Sequence, residues 1–179
     1  MEQIKIIFFA ISTFLGIENG QILATSTTVT VIPEDKELII VQDELSAVLM
    51  NSTSKNAVLE EWKTISAQNS ATYEWSEELK GFENKKLVIT TNETEIATKI
   101  TLTYTDVSQL RAMGIWFNEQ ENSFSINEIP QYGITTRDGV IDGNYWKFKD
   151  QPFSFTINPF KSAPENILAL KKSLKDILE

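Results

Sequence analysis

From residue 86 to residue 160 the chain alternates apolar with polar residues in short runs. A period of two marks half-buried strands, because successive strand side chains point to opposite faces. Ile100, Leu102 and Tyr104 fall on one face, and Lys99, Thr101, Thr103 and Thr105 on the other. Met113, Ile115 and Phe117 alternate with Gly114, Trp116 and Asn118, and Phe124 and Ile126 with Ser123, Ser125 and Asn127. The polar stretch 119–122 between these two runs predicts a hairpin. Trp146 and Phe148 then alternate with Tyr145, Lys147 and Lys149, and Phe153, Phe155 and Ile157 with Ser154, Thr156 and Asn158, with a turn at residues 150–152. Residues 87–91 supply a strand ahead of these. The connections are too short for the helical crossovers that parallel pairing requires, so the order is antiparallel. One sheet carrying most of the core is expected.

Upstream, residues 27–32 and 37–42 flank a Pro33 turn and predict a hairpin, whereas residues 43–50 fit a helix and a strand equally well. Asn51, Ser52, Thr53 and Ser54 are cap residues ahead of a helix over residues 56–67. Val58, Leu59, Trp62 and Ile65 recur on its inner face, with Glu60, Glu61 and Lys63 turned outward. Ser76 is placed to cap a short turn that Gly81 ends, and Asp106 with Gln109 has the spacing of a capping box before a turn that Gly114 ends. Over residues 163–178, Ile167, Leu170, Leu174, Ile177 and Leu178 form a stripe behind Ser162, Pro164 and Glu165, which predicts a terminal amphipathic helix. The fold class is therefore α+β. An antiparallel sheet of about seven to eight strands, strongly curved or a partly open barrel, is packed by a central helix and a C-terminal helix.

The start of the chain reads differently. Lys5 precedes an apolar run over residues 6–17 that turns polar at Glu18, roughly half the ~20 residues a membrane-crossing helix needs. This is the form of a secretory leader, with cleavage after Gly20 or Ala24, and it assigns residues 1–24 to the leader and 25–179 to a single domain. It also places the mature protein outside the cytoplasm, secreted or periplasmic, without an integral membrane span; a buried segment of a cytoplasmic protein is the competing reading.

Composition mainly excludes. With 179 residues, 41% hydrophobic and 23% charged, the chain has an ordinary globular balance. A formal charge of −9 and no basic face speak against nucleic acid as a partner. The absence of cysteine removes disulfides and thiol chemistry, and the absence of histidine removes imidazole catalysis and His-ligated zinc. No cofactor fingerprint, metal cluster or catalytic residue is assigned.

What remains is aromatic. Trp75, Trp116, Tyr132, Tyr145 and Trp146 are many for a chain of this size, and Trp116 must project from its strand opposite to Ile115 and Phe117. The longest loop, residues 127–144, holds Gly133, Gly139 and Gly143 and two Asp-Gly pairs, spaced as turns and not as a calcium loop. If it closes over that strand, Trp116, Tyr132, Asn144 and Tyr145 line an aromatic groove for an unknown small ligand, since aromatic platforms with a few polar anchors hold sugars and apolar molecules alike. A packed core would use the same residues. Three functions follow: an exported or envelope-associated non-enzymatic binding protein, a structural domain for a protein partner, and a carboxylate-only hydrolase. The hydrolase would draw on two of Asp106, Glu119, Glu128, Asp138 and Asp142, facing each other at ~5 to 9.5 Å.

Overall fold

The computed structural model describes residues 10–68, 72–129 and 133–179. Its strands are β1 (Leu23–Ile32), β2 (Glu37–Val48), β3 (Glu83–Thr91), β4 (Ile96–Thr103), β5 (Trp116–Asn118), β6 (Ser123–Asn127), β7 (Gly139–Asp142), β8 (Tyr145–Lys149), β9 (Phe153–Ile157) and β10 (Lys171–Ser173). The helices are α1 (Ile11–Phe14), α2 (Ser52–Ser66), α3 (Glu165–Leu170) and α4 (Leu174–Leu178), with 3-10 turns at Glu77–Leu79 and Val107–Met113. The α+β class and the antiparallel pairing stand. The single sheet does not: a larger sheet runs in the order β3-β4-β2-β1-β9 with β10 on β2, and a smaller one in the order β5-β6-β8-β7. Neither closes into a barrel.

The division falls at the turn of residues 150–152. Consecutive strands usually pair, yet β8 lies in the small sheet and β9 in the large one, where Phe153 stands opposite Val31 and Ile157 opposite Thr27. The aromatic residues account for this. Paired side by side, Phe148 and Phe153 would share one face and could not stack across the core. In opposite sheets their rings stack, 4.2 Å between centroids, while Phe124 meets Phe153 at 5.3 Å and Phe148 meets Phe155 at 6.0 Å. These rings join the two inner faces into one core.

Two segments depart from their expected form. Residues 43–48 continue β2, with Glu44 at φ 46°, and Leu45, Ser46 and Ala47 beyond it are all buried, so no alternation survives for a sequence reading to find. The terminal amphipathic helix is in fact two short helices around β10. Lys171–Ser173 extends because β4 pairs with β2 only from Glu37 to Gln42, and β10 takes up the backbone of β2 at Ser46–Val48. Ser162 and Glu165, spaced as a capping box, do not form one: Pro164 is the N-cap of α3 and makes no side-chain bond. Leu174 and Ile177 are buried as the stripe requires, but Leu168 and Leu178 are exposed.

Helix α2 begins at the Asn51–Ser54 capping box, where Ser54 N–H donates to Asn51 Oδ1 at 2.9 Å. The Asp106–Gln109 box and the left-handed Gly114 cap also form, whereas Ser76 makes no side-chain cap. Glu61, expected to point outward, is buried. Its Oε2 accepts from Gln21 N–H at 2.6 Å and Ile22 N–H at 3.2 Å, and burial holds its carboxyl above the usual range against these bonds and one from Ser12. Gly20 is obligatory in this packing, since a Cβ there would lie 1.7 Å from Ser12 Oγ. Ile11, Phe14 and Leu15, within the run read as a leader, join the core. No described helix is long and apolar enough to cross a membrane.

Candidate functional site

The small sheet presents two unlike faces. Strand register puts Phe117, Phe124, Phe148 and Gly139 in one row facing the large sheet, and Trp116, Ser125, Lys147 and Val140 in the adjacent row facing away. Gly139 is required in the inner row, because a Cβ would come within 2.6 Å of the Phe148 ring. On the outer face a second row runs Asn127, Tyr145, Asp142, and a third Asn118, Ser123, Lys149. The side chains of β6 there are thus serine, serine and asparagine, a low polar floor. Trp116 on β5 and Tyr145 on β8 stand on either side of it. Two strand spacings, about 9.5 Å, separate their strands.

Charge is arranged around the floor. Lys147 Nζ lies 2.7 Å from Glu121 Oε2 and 2.9 Å from Asp142 Oδ2, and these two carboxylates raise its pKa. The guanidinium of Arg111 sits 5.2 Å from the centroid of the Trp116 ring. Ser123, Val140, Lys147 and Lys149 line an open depression of about 270 Å³ toward the β7 side. Serine hydroxyls and an ammonium paired with two carboxylates therefore lie beside two half-buried aromatic rings. That combination suits reversible binding of a polar ring compound, and among the described residues no acidic cluster could hold a metal.

The four residues singled out in the sequence are only partly brought together. Trp116 and Tyr145 share the outer face, on strands separated by β6. Asn144 lies in the β7–β8 turn, where its backbone carbonyl accepts from Glu128 N–H at 2.8 Å and its side chain is exposed. Tyr132 lies outside the described residues. Residues 133–138 of its loop are tied to β9 instead: Thr135 bridges Thr156, and Asp138 accepts from Ser154 N–H at 2.8 Å. The chain then enters β7, at the opposite edge of the sheet from β5. Ser123, Ser125 and Lys147 were not named as site residues. Their outward parity was readable from alternation, but the strand order that sets them between Trp116 and Tyr145 was not.

Three of the five carboxylates considered for hydrolysis have other engagements. Asp106 accepts from Ser108 N–H at 2.8 Å and from the Ser108 hydroxyl, which holds its pKa below the usual range. Asp138 fixes Ser154 and Asp142 pairs with Lys147. Glu61, the described carboxyl with a raised pKa, is held by backbone donors in the core. No family model, curated protein or solved structure matches this chain.

Proposed function

We propose that the protein is an exported, non-enzymatic binding protein whose ligand surface is the outer face of the small sheet, and that the ligand is a glycan. The observation that carries the binding reading is the row of Ser123, Ser125 and Asn127 between Trp116 and Tyr145. A sugar ring has an apolar C–H face that stacks on an aromatic ring and hydroxyls that exchange hydrogen bonds with short polar side chains. A wholly apolar ligand would cover the hydroxyls of Ser123 and Ser125 without offering them partners. Titrating soluble oligosaccharides against intrinsic fluorescence tests this. Saturable binding that Trp116→Ala and Ser125→Leu each abolish, with unchanged circular dichroism, supports the reading; equal affinity in both variants overturns it.

Export is carried by Lys5, the apolar run over residues 6–17 and the polar switch at Glu18. An N-terminus between Gly16 and Thr25 in protein isolated from its host supports it, and an intact Met1 in the soluble cytoplasm overturns it. Processing after Gly20 would take Ile11, Phe14 and Leu15 out of the core and Ser12 away from Glu61. The outer face of the small sheet contains none of these residues.

A protein-interaction domain is the second reading, favoured by the edge strand β7, where Val140 is 67% and Ile141 52% exposed. Self-association that Val140→Lys disrupts would favour it over glycan binding.

A further inference from the structure

Where the two sheets part, Tyr104, Phe117, Phe124, Asp150, Asp106 and Lys36 surround a cavity of about 330 Å³ that opens to solvent. Tyr104 continues the inner row of Ile100 and Leu102 past the end of β4, and its backbone N–H is tied to Lys36 C=O at 2.9 Å. Only 4% of the residue is exposed, yet among the described residues its hydroxyl makes no hydrogen bond. The hydroxyl lines the cavity without a protein partner, so it is open to a hydrogen bond from a ligand there. Burial and the Asp150 charge push its pKa up to about 12, so at neutral pH it keeps its proton and can both donate and accept.

The charges around this cavity are mostly negative and unequally committed. Asp106 is engaged with Ser108, and Lys36 Nζ donates to Thr105 C=O at 3.1 Å. Asp150 has no ion pair or hydrogen bond among the described side chains, and Glu34 stands with it on the adjoining depression of about 320 Å³. The wall is aromatic: Phe117 and Phe124 rings lie 4.7 Å apart and both reach the cavity. A free carboxylate and an unpaired hydroxyl oxygen call for a donor that carries positive charge. The rings call for an apolar body beside it, and their faces themselves attract a cation.

We infer that this cleft is a second binding site, separate from the outer face, and that it takes a small organic cation: an ammonium group on an apolar body, donating to Asp150 and to the Tyr104 hydroxyl oxygen while the body lies on Phe117. The volume suits a ligand of about ten heavy atoms, at the lower end of small-molecule pockets. Chloride, carboxylates and phosphates are disfavoured by Asp106, Asp150 and Glu34.

Amide chemical-shift titration of the full chain tests this, with benzylammonium as probe and benzyl alcohol and benzoate as controls of matching shape. Benzylammonium should give saturable shifts at the amides of Thr105, Phe117 and Asp150. Replacing the carboxylate partner should weaken it at least about tenfold in Asp150→Asn, and losing the uncharged hydroxyl partner about threefold in Tyr104→Phe. Asp150 is exposed, so its variant keeps the fold. Benzyl alcohol binding as tightly as benzylammonium, unaltered affinity in Asp150→Asn, or no saturable shift at these amides each overturns the inference.

Discussion

The inner and outer faces of the small sheet are built from the same strands by alternating residues, and they solve different problems. The inner face carries Phe117, Phe124 and Phe148 in one row, with the rings of Phe153 and Phe155 across from it. The outer face puts serine beside Phe124 in the sequence and lysine beside Phe148. Stability is concentrated on one side, where Phe124, Phe148, Phe153 and Phe155 are buried. The other side is free to carry chemistry, because nothing in the packing of the two sheets depends on it.

Removing an inner ring should have the largest effect. Phe148→Ala deletes the ring stacked on Phe153 and also uncovers Gly139, and should lower unfolding free energy by about 3 to 5 kcal/mol in urea denaturation. A loss no greater than that of an outer-face variant would mean the two sheets are not held by these rings. A smaller, pH-dependent effect sits at the mouth of the inner face. Tyr104 has a folded pKa of about 12 against an ordinary 10, so its contribution is complete below about pH 10 and is lost as pH rises through 12. Wild type should therefore lose more stability than Tyr104→Phe across that window, as alkaline unfolding curves would show; parallel curves would contradict it. The smallest effect belongs to the outer face. Trp116→Ala, at a partly buried ring beside Arg111 and outside the core cluster, should change stability by about 1 kcal/mol or less while removing ligand binding. Global unfolding of that variant would make Trp116 a core residue and erase the contrast between the faces.

Alternation made the strands legible, and with them the parity that turns Trp116 away from Phe117. It could not show which strands become neighbours. The polar run at residues 150–152 reads as a hairpin turn in sequence, and only the stacking of Phe148 on Phe153 explains why it becomes a corner between sheets. For the same reason the expected groove combined Trp116 with a loop whose residues 133–142 run along β9 and form β7. At the C-terminus the apolar spacing of Leu170, Leu174 and Ile177 fits a continuous helix, and no proline or glycine marks the break at Lys171. The break is dictated from elsewhere, by the unpaired end of β2. Glu61 was misread because residues far from it in sequence, Gln21 and Ile22, supply the donors that let a carboxylate be buried on a helix.

The corner at residues 150–152 also sets a timetable. Strand β1 pairs on one side with β2, made immediately after it, but on the other side with β9, in which Phe153 faces Val31 and Ile157 faces Thr27. At ordinary rates of synthesis the ribosome needs about 6 to 25 s to make the intervening chain. Throughout that interval the β1–β2 hairpin keeps an open edge bearing Thr28 and Thr30, whose hydroxyls later bond Thr156 and Ser154. Neither sheet can finish early, because the strand that closes the large one follows directly on the strand that β7 and β6 enclose in the small one. The nascent chain thus remains unfinished, and accessible to whatever handles unfolded chains, until it is nearly complete.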